Sequence, residues 1–198
     1  MDEPDTPPQN FSVVAAAFEG SIVVAAVGLG WLLGYAPLKT LSWSWADAGW
    51  GLLGVLPPLG VLVLCVNCRW APLARVIAVL DEVIVPLFAP CRGIEFAVIA
   101  LLAGLGEEML FRGVIQTALA DWIGGAAGLW IGLMAAAVLF GLAHAVTFAY
   151  TVLAALIGLY LGWIWLWTGN LLVPVVAHAG YDFLALLYLV KIRSARVS

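Results

Sequence analysis

Charge is scarce in this 198-residue chain. Lys, Arg, Asp and Glu together make up 10% of it, against 65% hydrophobic residues and a mean hydropathy of +1.10. A soluble domain carries about 25% charged and about 45–50% apolar residues, so the scarcity of charge excludes an ordinary soluble globule. No basic run is present, which removes the usual footprint of a nucleic-acid binder. The net charge of −4 says little, because most of such a chain faces lipid or protein. The first ten residues, MDEPDTPPQN, are acidic and lack the positive n-region of a signal peptide. They are expected to be a short disordered tail that is retained.

Cysteine is also scarce. Cys65-Val-Asn-Cys68 has the spacing of a redox or zinc half-site, but no second half follows, and Cys91 stands apart. All three read as packing residues. The HExxH helix signature of zinc proteases is absent. Histidine occurs twice, at His144 and His178, and both lie inside apolar sequence.

What the chain does have is apolar length. Runs at roughly 12–34, 49–67, 93–119, 129–150, 152–168 and 171–190 each approach the roughly 20 residues that span a membrane as a helix. The fold expected is an all-α, polytopic integral membrane helical bundle of about six to eight transmembrane helices. Glu19 sits near the start of the first run, and Pro57-Pro58 should kink or break the second. A very short turn around Gly169-Asn170 makes the last two spans antiparallel neighbours.

Between Arg69 and Arg92, charges and Pro72, Pro86 and Pro90 interrupt apolar residues. That stretch reads as a helix lying in the interface, with a connector packed under the bundle as the alternative. The domain division is then a tail at 1–10, N-terminal transmembrane and interfacial helices at 11–92, a core at 93–190 and a basic tail at 191–198.

With six spans and both termini inside, Arg69, Arg75, Arg92, Lys191, Arg193 and Arg196 are all cytoplasmic, which the Lys/Arg bias favours. The expected location is the cell (plasma) membrane. Trp163, Trp165 and Trp167 suit the headgroup level, with ordinary helix packing as the alternative. Gly124, Gly128 and Gly132, like Gly158 and Gly162, recur every four residues and permit close helix approach, within the chain rather than between copies.

Three polar motifs lie in three of the apolar runs. Ionisable groups at mid-membrane are expensive, at roughly 2.5–3.5 kcal/mol each for Asp, Lys or Arg. In Glu107-Glu108-Met-Leu-Phe-Arg112, the i,i+4 spacing puts Glu108 and Arg112 on one helix face, where they can pair. Glu107 points elsewhere and must take a proton or meet a polar group from another helix. Phe140 and His144 share a face, and so do His178 and Asp182. A carboxylate and two imidazoles on three nearby helices are the parts of a water-activating site.

Gly106-Glu107-Glu108-Met109-Leu110-Phe111-Arg112 resembles the EExxxR motif of the CPBP family of intramembrane proteases, which includes CAAX prenyl endopeptidases and bacteriocin-processing or immunity proteins (also called Abi). Phe140 to His144 resembles its FxxxH motif, and His178 to Asp182 its HxxxN or HxxxD motif. The resemblance covers roughly residues 93–190. It implies an intramembrane endopeptidase acting on a membrane-associated protein or peptide within the lipid bilayer. Glu107 and His144 would activate water, Glu108 and Arg112 would support that geometry, and His178 with Asp182 would stabilise the oxyanion.

An ionised Asp182 cannot donate a hydrogen bond. It could orient or charge His178, which is the preferred reading, or stay protonated, or bind a metal. Glu107, His144 and His178 could supply a His₂Glu set for Zn2+; a metal-free, glutamate-dependent mechanism is the alternative. Two other classes compete with the protease: a non-catalytic immunity or scaffold protein of the same fold, and a small proton-coupled transporter. The transporter predicts two similar halves, and no such repeat is visible. Nothing in the sequence bears on oligomeric state.

Counting at 1.5 Å per residue puts Glu107 about 21 Å and His178 about 20 Å from the inner face of a bilayer core about 30 Å thick. His144 comes out shallower by the same count.

Overall fold

A backbone in hydrocarbon must satisfy its own N–H and C=O groups, so each long apolar run becomes a helix. The computed structural model describes residues 10–193, and most of the expected end tails lies outside the described residues. Helix α1 is Phe11–Leu33, α2 is Trp45–Asn67, α3 is Ala71–Phe88 and α4 is Gly93–Ile123. Then come α5 at Gly125–Ala143, α6 at Phe148–Thr168 and α7 at Leu172–Arg193. No strand occurs among the described residues.

Helices α1, α2, α5, α6 and α7 are each long and apolar enough to cross a membrane. Helices α3 and α4 pass that test together, bent by 115° at the break between them. The protein is thus an all-α polytopic membrane bundle, with five such helices among the described residues, or six if the bent pair counts as one span. Val13, Val14, Phe18, Val24, Trp31 and Leu32 of α1 are left exposed. Such a face suits contact with lipid.

Local chemistry sets the breaks. Helix α2 is interrupted at Val55, and Pro57 and Pro58 fall in the first turn of the segment Leu56–Asn67. A proline there loses no helical hydrogen bond. The α4–α5 turn needs Gly124 and Gly125, whose φ values are +76° and +60°. Beyond it, a Cβ on Gly128 would strike the Ala120 carbonyl, and one on Gly132 the Gln116 carbonyl. A Cβ on Gly158 would crowd Phe140, and one on Gly162 would strike Gln116 and Leu133. The glycine series therefore packs helices within the chain.

Asn170 holds the α6–α7 turn. Its Oδ1 accepts from the Leu172 and Ser42 backbone N–H groups, and its Nδ2 donates to the Ser42 carbonyl and to Asp47. Trp165 is buried and donates from Nε1 to Thr40, so it serves packing. Trp163 and Trp167 stack on each other and remain exposed. Cys65 and Cys91 are buried, and all three cysteines are free thiols.

The two described ends of the chain meet at one end of the bundle. Phe11, Phe88, Cys91, Phe96 and Val190 form one cluster, Ser12 donates to Glu95, and Arg193 pairs with Asp81. Helix α3 packs across the same end: Leu73 and Ile77 bury against Leu62 and Cys65 of α2 and Leu189 of α7.

Candidate active site

The site is built outward from the middle of α4. Glu107 and Glu108 are buried, and directly after them the helix widens into π-helical turns over Met109–Gln116. Such turns are rare and occur often at functional sites. Arg112 Nη1 donates to Glu108 Oε1 at 2.8 Å, and Nη2 donates to the Gly158 carbonyl of α6 at 2.6 Å. Its guanidinium lies 4.9 Å from the centre of the Phe140 ring. Both charges are almost wholly buried, at 0% and 1% side-chain exposure. The i,i+4 pair expected from sequence is there, and it also clamps α4 to α6.

Glu108 has a second partner. His178 Nδ1 lies 2.9 Å from the same Oε1 atom. An ionised carboxylate only accepts, so Nδ1 carries the proton. That bond fixes the ring and turns Nε2 into the cavity, 3.9 Å from Glu107 Oε2 and 3.4 Å from Asp182 Oδ2. Helices α4 and α7 come close enough for this because Gly104 has no side chain: a Cβ there would strike Ala179.

His144 arrives from the end of α5, where it caps the helix. Its Nδ1 is 2.8 Å from the Phe140 carbonyl, so the proton sits on Nδ1 and the lone pair on Nε2 in the neutral ring. The ring stacks on Phe140 at 4.6 Å. Its Nε2 faces Glu107 Oε2 at 3.8 Å. Glu107 therefore meets both imidazoles, each through Nε2, beyond direct hydrogen-bond length. That is a spacing at which a bridging water is to be considered.

The depth mismatch of His144 has a simple origin. Measured from the Gly124 turn, Glu107 lies about 24 Å down α4 and His144 about 28 Å down α5. The two agree when counted from that end. Helix α4 runs on past this level to Gly93, whereas the α5–α6 turn stops at it. Helix α3 fills the space beneath that recessed turn, and its Val76, Ile77 and Leu80 line the cavity floor.

The resulting cavity holds about 200 Å³ and is lined by Glu19, Glu107, His144, Tyr150, His178 and Asp182 among others. All six motif residues are thus brought together, with Glu108 and Arg112 behind the cavity and the other four facing it. Sequence reasoning missed Tyr150, positioned by the Thr147 cap at the start of α6. It missed the Gly158 carbonyl as well, since nothing in a sequence marks a backbone acceptor. Glu19 is visible in the sequence as a charge within an apolar span, but no spacing there ties it to the motifs.

A zinc ion would need its ligand atoms about 2.0–2.2 Å from one point. Among the described residues, no group of three or more His, Cys, Asp or Glu side chains is so arranged. Glu107, His144 and His178 as they stand do not form a metal cage, and no chemical step below is routed through one.

This is the layout of a helical membrane protein with a mostly apolar cavity into which glutamate, aspartate and histidine project. Residues 92–184 match the family model described as "Type II CAAX prenyl endopeptidase Rce1-like". That match supports the segment's resemblance to the CPBP family of intramembrane proteases, whose three motifs it carries. It is also similar to the "Uncharacterized protein YpbD" of Bacillus subtilis (strain 168), with 37% identity over 86 residues. That stretch covers 40% of this chain and 38% of the relative, so the similarity extends over less than half of either. No solved structure matches the chain.

Proposed function

We propose that the protein is an intramembrane endopeptidase that hydrolyses a peptide bond of a membrane-associated protein or peptide. The observation that carries this reading is Glu107 Oε2, a buried carboxylate oxygen without a hydrogen-bond partner, facing the Nε2 atoms of His144 and His178 at 3.8 and 3.9 Å. An unsatisfied buried acceptor is costly, and an active site is where such a cost is tolerated.

In this reading Glu107 takes a proton from a water held between it and His144 Nε2. The water oxygen bonds to the substrate carbonyl carbon, and the carbonyl electron pair moves onto its oxygen. His178, charged as an imidazolium with Nδ1 donating to Glu108 and with Asp182 beside it, donates from Nε2 to that oxyanion. When the C–N bond breaks, the proton on Glu107 goes to the leaving amine. Burial excludes bulk water, which strengthens each of these interactions.

The test is cleavage of a membrane-peptide library by the purified protein in lipid vesicles. Glu107→Ala and His144→Ala should each abolish cleavage with the fold intact. Equal cleavage by the wild type and both variants would overturn the mechanism. Absence of any cleavage, with a partner-binding or immunity function surviving both substitutions, would favour the scaffold reading. On the charge bias, the end of the bundle where the chain ends meet faces the cytoplasm.

A further inference from the structure

Glu19 is not part of any motif, yet it is the one α1 residue that lines the catalytic cavity. Its neighbours there are Glu107, Asp182, His144 and His178, all close enough to act on it electrostatically. Its Oε2 atom is buried and has no hydrogen-bond partner. The helix is held in this register. A Cβ on Gly106, the residue before Glu107, would lie 3.2 Å from the Glu19 carbonyl oxygen and from the Val23 nitrogen. Ser12 Oγ, two turns earlier, donates to Glu95 of α4 at 2.7 Å. Packing thus aims the carboxylate of Glu19 at the site, on a helix whose outer face is left to lipid.

The charges in the cavity are unbalanced. Glu108 and Arg112 satisfy each other behind the wall. In front of it stand three carboxylates, Glu19, Glu107 and Asp182, with two imidazoles and no Lys or Arg among the lining residues. Asp182 has His178 at 3.4 Å, and Glu107 has both imidazoles within 4 Å. Glu107 is itself only 8% exposed and ends in an unpartnered oxygen aimed into the same space. For Glu19, no donor within hydrogen-bond reach stands among the described side chains. A carboxylate held at the edge of an apolar cavity with its acceptor free is a receptor for a cationic donor.

We propose that Glu19 is a specificity-determining residue: it pairs with a basic Lys or Arg side chain of the substrate flanking the bond presented to Glu107. The inference rests on the reading of the cavity as a peptide-binding active site, but it concerns recognition and can be measured without turnover. Helix α1 meets the cavity at the edge of the bundle, so the basic group enters from the α1 side while the peptide backbone lies against Glu107 and His178.

The experiment uses the full chain in phosphatidylcholine nanodiscs and fluorescent polyleucine peptides that carry Lys, Gln or Glu at one central position. The wild type should bind the Lys peptide about ten-fold more tightly than the Gln peptide, the size of one charge-assisted hydrogen bond. Glu19→Gln, which keeps the side-chain shape, should bring that ratio to near one. Glu19→Lys should turn the preference toward the Glu peptide. Equal wild-type affinity for the Lys and Gln peptides, or a Lys preference that Glu19→Gln leaves intact, overturns the proposal. A Lys preference that depends on Glu19 in a protein that cleaves nothing would support the recognition role and count against the protease alone.

Discussion

His178 Nδ1 and Glu108 Oε1 lie 2.9 Å apart, and that oxygen also receives Arg112 Nη1 at 2.8 Å. One buried carboxylate oxygen thus joins α4, α6 and α7, because Arg112 also bonds the Gly158 carbonyl. The polar residues of the site divide accordingly. Glu108 and Arg112 set the direction of His178, and Glu107, His144 and the outer nitrogen of His178 face the cavity.

That division predicts different failures for the two adjacent glutamates. Glu108→Ala strands the Arg112 guanidinium in a site with 1% exposure. Breaking one side of a buried ion pair costs about 3–5 kcal/mol. The variant should therefore lose thermal stability in detergent and lose activity together. Glu107→Gln removes the proposed base, which has no hydrogen-bond partner on Oε2, and it should lower the cleavage rate by at least about 100-fold with an unchanged melting temperature. A Glu107→Gln protein as unstable as Glu108→Ala would contradict the assignment.

Much of this was legible in the sequence, for physical reasons. Helices in lipid are nearly obligatory, so apolar length alone gave runs close to the observed α1, α2, α4, α6 and α7, while the run at 129–150 overran the end of α5 at Ala143 and crossed the turn into α6. Spacing of four placed Glu108 on Arg112 and His178 on Asp182, because such neighbours share a helix face. What spacing could not show was which residues meet across helices. The bond from His178 to Glu108 and the orphan oxygen of Glu19 depend on packing angles. Those angles are set by glycines, Gly104 and Gly106, whose role is visible only when the facing backbone is known. The depth of His144 failed for a related reason: a turn can stop short of the bundle end when another helix, here α3, closes the gap.

Asp182 separates orientation from charge. It lies 3.4 Å from His178 Nε2 and is more exposed than the histidine. The matching position in the family's motif accepts Asn as well as Asp. Asp182→Asn should therefore keep most of the activity, within about ten-fold, since the amide can still contact the ring and can also donate to an oxyanion. Asp182→Ala, which removes the contact, should cost more. Steady-state cleavage rates for the two variants decide it; a null Asp182→Asn protein would mean that the negative charge itself is required.

The close helix approaches give a test of the fold that is independent of chemistry. A Cβ on Gly113 would overlap the Pro37 carbonyl oxygen. Backbone on both sides leaves little room to relax. Gly113→Ala should destabilise the bundle by roughly 1–3 kcal/mol, the usual cost of overpacking. Gly60, where an added Cβ would meet nothing within 4 Å, should accept alanine without loss. Paired thermal-unfolding measurements in one detergent compare the two directly.

The metal question is answered by removal. A His₂Glu zinc site closes its ligands around one point, and the described His, Cys, Asp and Glu side chains do not form such a group. The two imidazoles approach Glu107 Oε2 from separate helices at 3.8 and 3.9 Å. In the proposed mechanism Glu107 activates water without a Lewis acid. Cleavage by protein dialysed against a strong chelator should then equal that of untreated protein. Elemental analysis of the same sample should show less than one zinc per chain. Loss of activity on chelation, restored by stoichiometric zinc, would show that the three side chains close on a metal in the working enzyme and that Glu107 is a ligand as well as a base.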